Sequence, residues 1–166
     1  MTDVFQAPDE PKALNAIEWV DAELFVDFNK VVQQSLNHVG DRLHRLNAII
    51  RCDNLPHVHA SEKDMEQLCG QLFNLILLYP PQTSKLFIYI KCNRFDDLQS
   101  FGKSNWLHLF EICFHTNSCN EASWQSAHQR ELAECAAICK QHSGAFTAAY
   151  GHADCLFKLT LPGKLF

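Results

Sequence analysis

The sequence predicts a two-layer α+β sandwich, in which one mixed sheet carries three helices on one face. Three observations lead to this prediction. An apolar stripe at helical spacing begins after Ser61 and ends at Pro80 and Pro81. Stretches of helical and strand-like pattern follow one another in the order helix, strand, strand, three times over. The chain has 166 residues, 47% of them hydrophobic, which is enough to bury one core.

The N-terminal part of the chain predicts a loosely attached leader over residues 1–20 and a single domain over residues 21–166. Residues 25–46 predict a strand-like entry followed by one amphipathic helix. Two short strands are then expected at residues 47–52 and 57–59.

The central helix is expected over residues 61–79. Ser61 suits the N-cap position, and acidic Glu62 and Asp64 in the first turn complement the helix dipole. The apolar stripe widens towards the C-terminal end of the helix. The last turns, including Leu78, are therefore expected to be buried on nearly all sides.

The second half of the chain repeats the pattern of two strands and a helix, followed by a final pair of strands. Alternating apolar residues predict strands at 84–93 and 106–114. A helix is expected at 125–142, and two last strands at 145–150 and 156–161 form a hairpin.

Charge and composition exclude several functional classes. A formal net charge of -5 and a pI near 5.9 give no electrostatic footprint for nucleic acid. Lys and Arg form no run that would favour an anionic membrane surface. No apolar run reaches the roughly 18 residues of a membrane helix, and the acidic, polar N-terminus is unlike a signal peptide. We therefore expect a cytoplasmic protein that binds neither membranes nor nucleic acid.

The eight cysteines do not form a CxxC pair anywhere in the sequence. Most of them lie inside apolar patterns, where free cysteine behaves as a small buried hydrophobe. We expect the same of these cysteines.

Three groups of histidine and cysteine have spacings that could chelate zinc, but none forms a four-ligand signature. We therefore predict no metal site. His108, between apolar neighbours, is expected to be a partly buried, hydrogen-bonded histidine. The three groups are His57 with His59; Cys113, His115 and Cys119; and Cys135, Cys139 and His142.

Two stretches carry a resemblance to a known family. The first runs from VDFNKVVQQSLNHVGDRLHRL through LPHVHASEKDMEQLCGQLFNLI, and the second is the tail with His142-Ser143-Gly144 and Leu161-Pro162. Together they resemble the catalytic ATP-binding domain (HATPase_c) of sensor histidine kinases, particularly the phytochrome-type branch, over residues 25–162. The resemblance implies the gyrase-type, histidine-kinase-like ATPase fold. It does not by itself establish function.

The resemblance also implies where nucleotide-binding residues would lie. Members of this family carry two asparagines four residues apart on the central helix, and the second ligates magnesium. Asn74 matches the first, but the second falls at Leu78, whose aliphatic side chain cannot ligate a hard cation. The lysine-tyrosine pair that follows in the family is replaced by Pro80 and Pro81.

The two glycine-containing elements of the family are missing. The Asp-x-Gly-x-Gly loop would follow the strand at 106–114, where this chain has HTNSCNEASW. The glycines of the nucleotide lid would fall at Ala127, Gln129 and Glu131, and the Glu131 carboxylate would lie near anionic phosphates. The nucleotide motifs are therefore degenerate.

The sequence offers no phosphoacceptor histidine on a preceding helix pair. His38 and His44 lie within the first predicted helix of the domain, where we expect them on its solvent side.

These losses favour a regulatory or protein-docking module of two-component-type signal transduction, a pseudokinase with no catalytic residue and no cofactor. The expected partner is a response regulator or the helical hairpin of a histidine kinase or phosphotransfer protein. Exposed aromatic candidates for the contact surface are Trp19, Phe101, Trp106 and Trp124.

The alternative is a divergent ATPase or histidine kinase catalytic domain that binds ATP and magnesium through Asn74 and a rebuilt lid. Under the first hypothesis, we expect Leu78, Phe114 and Trp124 to fill the nucleotide cleft.

Overall fold

The structure is a computed structural model, and it describes residues 25–82, 84–95, 108–118, 127–151 and 153–164. The predicted leader at residues 1–20 lies outside these ranges. The strands are β1 (Phe25–Asp27), β2 (Ile49–Cys52), β3 (His57–His59), β4 (Phe87–Phe95), β5 (His108–Thr116), β6 (Ala145–Tyr150) and β7 (Cys155–Lys164). The helices are α1 (Phe28–His38), α2 (Gly40–Arg45), α3 (Glu62–Leu78) and α4 (Gln129–Gln141).

The strands form one mixed sheet with the order β1-β3-β7-β5-β4-β2, and β6 also pairs with β7. The β2–β4 pair is parallel, and the other pairs are antiparallel. Long β7 holds the sheet together, because β5 pairs with it along its length while β6 and β3 pair with its two ends.

Period-two alternation gives the sheet one apolar face, which packs against the helices. Ile90 and Phe114 lie opposite each other on β4 and β5, and both are fully buried in the core beneath the helices. The helical layer consists of the α1–α2 segment, α3 and α4. The predicted two-layer α+β sandwich with helices on one face is confirmed.

Helix α3 is the largest contributor to the core and begins as predicted. The Ser61 hydroxyl accepts a hydrogen bond from the amide of Asp64 at 3.2 Å. The Phe73 ring packs edge-on against Phe114 with 5.6 Å between ring centroids. The buried residues of α3 are Met65, Leu68, Cys69, Leu72, Phe73, Leu75, Ile76 and Leu77.

The prediction that Leu78 is buried is wrong, because its side chain is 52% exposed. Leu78 lies one helical turn beyond Asn74, which is also exposed, so both occupy the face of α3 that points away from the sheet.

The V-D-F-N stretch fixes the start of α1. Asp27 caps the helix by accepting a hydrogen bond from the amide of Asn29 at 3.0 Å. The Asn29 side chain then exchanges two hydrogen bonds of 2.8 Å with the backbone of buried Leu55. The motif therefore attaches α1 to the segment that leads into β3.

The single helix predicted within residues 25–46 is in fact two helices. The break is at Val39, whose φ of -106° and ψ of 13° are not helical. The next residue is Gly40, and glycine has the weakest helix propensity after proline, so the break occurs at the weakest point of the pattern.

Strand β5 begins at His108, and the two residues predicted before it, 106 and 107, lie outside the described residues. Strand β4 begins at Phe87, three residues later than the sequence pattern predicts. Asn117 supplies the reason: its Oδ1 accepts from the amide of Phe87 at 2.8 Å, and its Nδ2 donates to the carbonyl of Lys85 at 2.8 Å. The Asn117 side chain therefore takes the place of a strand partner for Lys85 and Phe87, while the Leu86 carbonyl still accepts from the amide of Ile49 on β2.

The C-terminal hairpin forms as predicted. Helix α4 ends where Ser143 adopts a left-handed φ of 62°, and the Gly144 amide donates to the carbonyl of Cys139 at 2.8 Å. A side chain at Gly144 would collide with the carbonyl oxygen of Thr160 on β7, so this position requires glycine.

Among the described residues, no helix has the combination of length and apolar character that crossing a membrane requires.

Gly70→Ala is expected to raise the free energy of unfolding by about 1 kcal/mol, because Gly70 lies inside α3 and an added Cβ would meet nothing within 4 Å. Urea unfolding measures the change. Gly163→Ala is the matched control and should lower stability, since its Cβ would collide with the carbonyl of His57. A less stable Gly70→Ala variant would contradict the prediction.

Candidate functional site

A cavity of about 350 Å³ lies between the C-terminal half of α3 and the start of α4. Four residues singled out by the sequence meet here: Asn74, Leu78, Ala127 and Glu131. Gln129 is exposed and does not line the cavity. Among the described residues, the cavity is lined by Gln71, Asn74, Leu75, Leu78, Ala127, His128 and Glu131.

Asn74 is held by a cationic neighbour. The guanidinium of Arg42 donates a hydrogen bond from Nη2 to Oδ1 of Asn74 at 2.6 Å. This contact joins the α1–α2 segment to α3, and it occupies the carbonyl oxygen of the carboxamide.

The structure does not show the expected filling of the cleft by Leu78 and Phe114. Exposed Leu78 lies at the wall of the cavity and does not close it. Phe114 is fully buried between the sheet and α3, where it packs against Phe73. Trp124 lies outside the described residues.

A chain of three polar side chains joins α3 to the start of α4. The Tyr79 hydroxyl lies 2.9 Å from Nε2 of His128, and Nδ1 of His128 lies 2.8 Å from Oε2 of Glu131. A neutral imidazole protonated on Nδ1 satisfies both contacts, because Nδ1 donates to the carboxylate and Nε2 accepts from the hydroxyl.

The sequence did not indicate this set of three hydrogen-bonded side chains. The i, i+3 spacing of His128 and Glu131 is a signal that could have placed them on one helix face, but only the tertiary structure brings Tyr79 to them.

Polar contacts at two further positions link the same helices along their length. The Gln71 side chain donates to Glu134 at 2.9 Å and accepts from the Cys135 thiol at 3.3 Å. At the far end, Asp64 lies 2.9 Å from Nε2 of His142. Helix α4 is therefore fixed against α3 at three levels.

The described residues after β5, Asn117 and Ser118, make hydrogen bonds to other parts of the protein. Ser118 is fully buried, and its hydroxyl lies within hydrogen-bonding distance of the carbonyl oxygens of Ile76 and Tyr79. It thereby satisfies carbonyl groups at the end of α3, which lack partners within the helix. The resemblance places the Asp-x-Gly-x-Gly loop of the family in this region.

The metal-ligand candidates are occupied by other contacts. The His59 ring packs on Phe25 with 5.2 Å between ring centroids. His115 lies 3.0 Å from Asp154, and Cys113 contacts Glu111. Cys119 lies outside the described residues. Within the ranges that the structure describes, no group of three or more His, Cys, Asp or Glu side chains is placed to hold a metal ion.

The described cysteines are free thiols, and most of them are buried as predicted. Burial raises the pKa of Cys69, and it raises that of Cys135 and of Cys139 to about 12. Burial likewise raises the pKa of Cys92 to about 11. Such thiols stay protonated at neutral pH and are poor nucleophiles and poor metal ligands.

Other predicted features have mixed outcomes. His38 and His44 are exposed on α1 and α2, as predicted. His108 is partly buried, but the prediction of a hydrogen bond fails for its Nδ1, which has no partner among the described residues. It lies at the start of β5, where its ring contacts Phe110.

The four aromatic candidates for a contact surface, Trp19, Phe101, Trp106 and Trp124, all lie outside the described residues and stay a prediction.

No protein-family model matches this chain, and no curated protein matches it in sequence. Solved structures do match it in fold. The histidine kinase AdeS of Acinetobacter baumannii aligns with a TM-score of 0.61 and 16% identity, over 82% of this chain and 65% of that chain. This chain therefore spans slightly less than two thirds of the solved AdeS chain.

Two shorter structures match over nearly their whole length. The mycobacterial sensor histidine kinase MprB aligns with a TM-score of 0.66 and 13% identity, covering 86% of this chain and 99% of that chain. The nucleotide-free catalytic domain of the histidine kinase ThkA aligns with a TM-score of 0.64 and 11% identity, covering 84% of this chain and 96% of that chain. The chain thus has the fold of histidine kinase catalytic domains, and identities this low establish the fold alone.

Tyr79→Phe is expected to destabilise the protein by about 1 kcal/mol and to speed amide hydrogen exchange at the start of α4, because it removes the hydroxyl that contacts His128. Hydrogen exchange followed by NMR measures the local effect. Tyr89→Phe is the matched control, since it removes a hydroxyl bonded to Asp53 on the other side of the sheet. Unchanged exchange in α4 would contradict a fixing role for the Tyr79 contact.

Alkylation of the native protein at pH 8 is expected to label exposed Cys52 well before buried Cys69 and Cys135, and unfolding should abolish this order. Peptide mass spectrometry measures the labelling. Equal labelling rates at Cys52 and Cys135 would contradict the burial.

The free energy of unfolding should also fall as pH rises above 9, because the thiol ionises near its ordinary pKa of 9.0 in the unfolded protein, while the pKa of Cys135 is about 12 in the folded protein.

Proposed function

We propose that this domain has lost the binding of ATP and magnesium and acts as a regulatory or protein-docking module in two-component-type signal transduction. The proposal proceeds from the histidine kinase catalytic fold. It depends on what this chain carries at the positions where that fold would hold nucleotide.

The observation that carries the proposal is the set of side chains around the 350 Å³ cavity. Leu78 occupies the position that the resemblance gives to the magnesium ligand, and it offers no oxygen. Glu131 brings a carboxylate to the same cavity, where a phosphate group would be repelled. A cavity of this chemistry is poorly suited to a magnesium nucleotide.

The contacts between α3 and α4 support the same conclusion. The resemblance expects a glycine-rich lid that closes over nucleotide at the start of α4. Here hydrogen bonds among Tyr79, His128 and Glu131 join that start directly to α3. We infer that these side-chain contacts replace a contact that nucleotide would otherwise provide.

A docking role suits a domain without catalytic chemistry of its own. Under this proposal the partner is a response regulator or a helical hairpin that carries the phosphorylated histidine. The domain would hold that partner and would leave phosphoryl transfer to the partner's residues.

One observation favours the alternative of a divergent nucleotide-binding domain. Asn74 matches the first asparagine of the family and lines the cavity. Arg42, which donates to Asn74, adds a cation that a phosphate group could use.

Isothermal titration calorimetry with ATP and with ADP, each with magnesium, tests the proposal. We expect no saturable heat for any Kd below about 1 mM. Leu78→Asn restores only one missing ligand while Glu131 remains, so it should not create binding.

Binding of ADP with a micromolar Kd would overturn the proposal in favour of the alternative. In that case Asn74→Ala should abolish the heat. Asn93→Ala, at an exposed asparagine on β4, is the matched control and should leave it unchanged.

A further inference from the structure

A second and larger cavity, of about 850 Å³, lies between the α1–α2 segment and α3. We call it the α1–α3 groove. Gln34, Ser35 and Arg42 belong to its first wall, and Lys63, Gln67 and Gly70 belong to its second. Its volume falls in the range of ligand-binding sites. Asn74 lines one end of the groove, and the other positions that the family resemblance assigned to nucleotide binding do not line it.

Gly70 gives the first indication of what the groove accepts. It lies in the interior of α3, where glycine favours the helix less than alanine does. An added Cβ would meet nothing within 4 Å, so packing within the protein does not require glycine here. A helix without a side chain at this point leaves space for a close approach by another backbone.

The walls give the second indication. Four carboxamides line the groove, and a carboxamide can both donate and accept hydrogen bonds. Two of them, Asn37 and Asn74, already accept from Gln33 and Arg42 within the protein, and their amide groups can still donate. A polypeptide in extended conformation presents alternating N–H and C=O groups that match such a surface. The four carboxamides are Gln34, Asn37, Gln67 and Asn74.

The charges give the third indication. Lys63 lies at one end of the groove, and Arg42 lies at the other end against Asn74. Lys63 and Asn74 are eleven residues apart on α3, a separation of about 16 Å. About five residues of extended chain span this distance. Glu66 adds one carboxylate between the two ends.

From these features we propose that the α1–α3 groove binds an extended peptide segment of a partner protein, with an acidic side chain at each end and a neutral centre. The acidic ends pair with Lys63 and Arg42, and the backbone lies over Gly70. The inference rests on the proposed docking function, to which it adds a site and the chemistry of the partner.

The test uses a fluorescein-labelled six-residue peptide with glutamate at both ends and glycine and serine between them. Fluorescence anisotropy should give saturable binding with a Kd of about 0.1–1 mM. A peptide with glutamine in place of both glutamates should bind at least about tenfold more weakly. In ¹⁵N-labelled protein, the amide shifts should map to Gln67 and Gly70.

Variants of the groove locate the contact. Gly70→Leu places a side chain in the space that the peptide backbone would occupy, and Lys63→Ala removes one cation of the groove. Each variant should therefore weaken binding by about tenfold. Glu66→Gln should strengthen binding, because it removes a carboxylate that repels the acidic peptide. Lys140→Ala, at an exposed lysine on α4, is the matched control and should change nothing. Urea unfolding confirms that Gly70→Leu remains folded.

Several outcomes would overturn the inference. These are no saturable binding up to about 10 mM peptide, wild-type affinity in folded Gly70→Leu, or amide shifts confined to the smaller cavity. Pyrophosphate that reproduces the shifts would indicate a site for small anions instead. A dimer in sedimentation that Gly70→Leu disrupts would indicate a second copy of the chain. Nucleotide calorimetry is independent of all these readouts, so failure of the groove and failure of the proposed function can be told apart.

Discussion

The burial of α3 against the sheet is the interaction on which the rest of the structure depends. Its apolar face lies over β4 and β5, and the Phe73 ring meets Phe114 there. This packing fixes the orientation of the helix about its own axis. Asn74 and Leu78, one turn apart, must then point away from the sheet, and the residues that resemble a nucleotide site are presented at the surface.

Polar contacts complete what apolar burial begins. Helix α4 is joined to α3 by Tyr79 with His128, by Gln71 with Glu134, and by Asp64 with His142. On the other flank, Arg42 joins α2 to Asn74. Such contacts are individually modest in energy, but together they set the spacing of the three helical segments. The two cavities on either side of α3 exist because of that spacing.

The two cavities on either side of α3 differ in the chemistry of their lining residues. The smaller cavity combines Leu78 and Glu131 with an isolated asparagine, a set that disfavours a magnesium nucleotide. The larger groove has carboxamides, two cations and the unfilled space at Gly70, a set that favours a polar, elongated partner. The fold shared with histidine kinase catalytic domains does not by itself assign a function, so the proposed recognition role depends on the chemistry of these two cavities.

The sequence by itself determined the fold class, the order of elements and the ends of α3, because apolar periodicity, the Ser61 cap and the prolines act locally. It also identified Asn74, Leu78, Ala127 and Glu131, which do meet at one cavity. Only the tertiary structure decided that Leu78 is exposed, that Tyr79 reaches His128, and that Gly70 lies in a groove. These facts depend on how helices rotate and pack, which no local pattern contains, because the contacts join residues far apart in the chain.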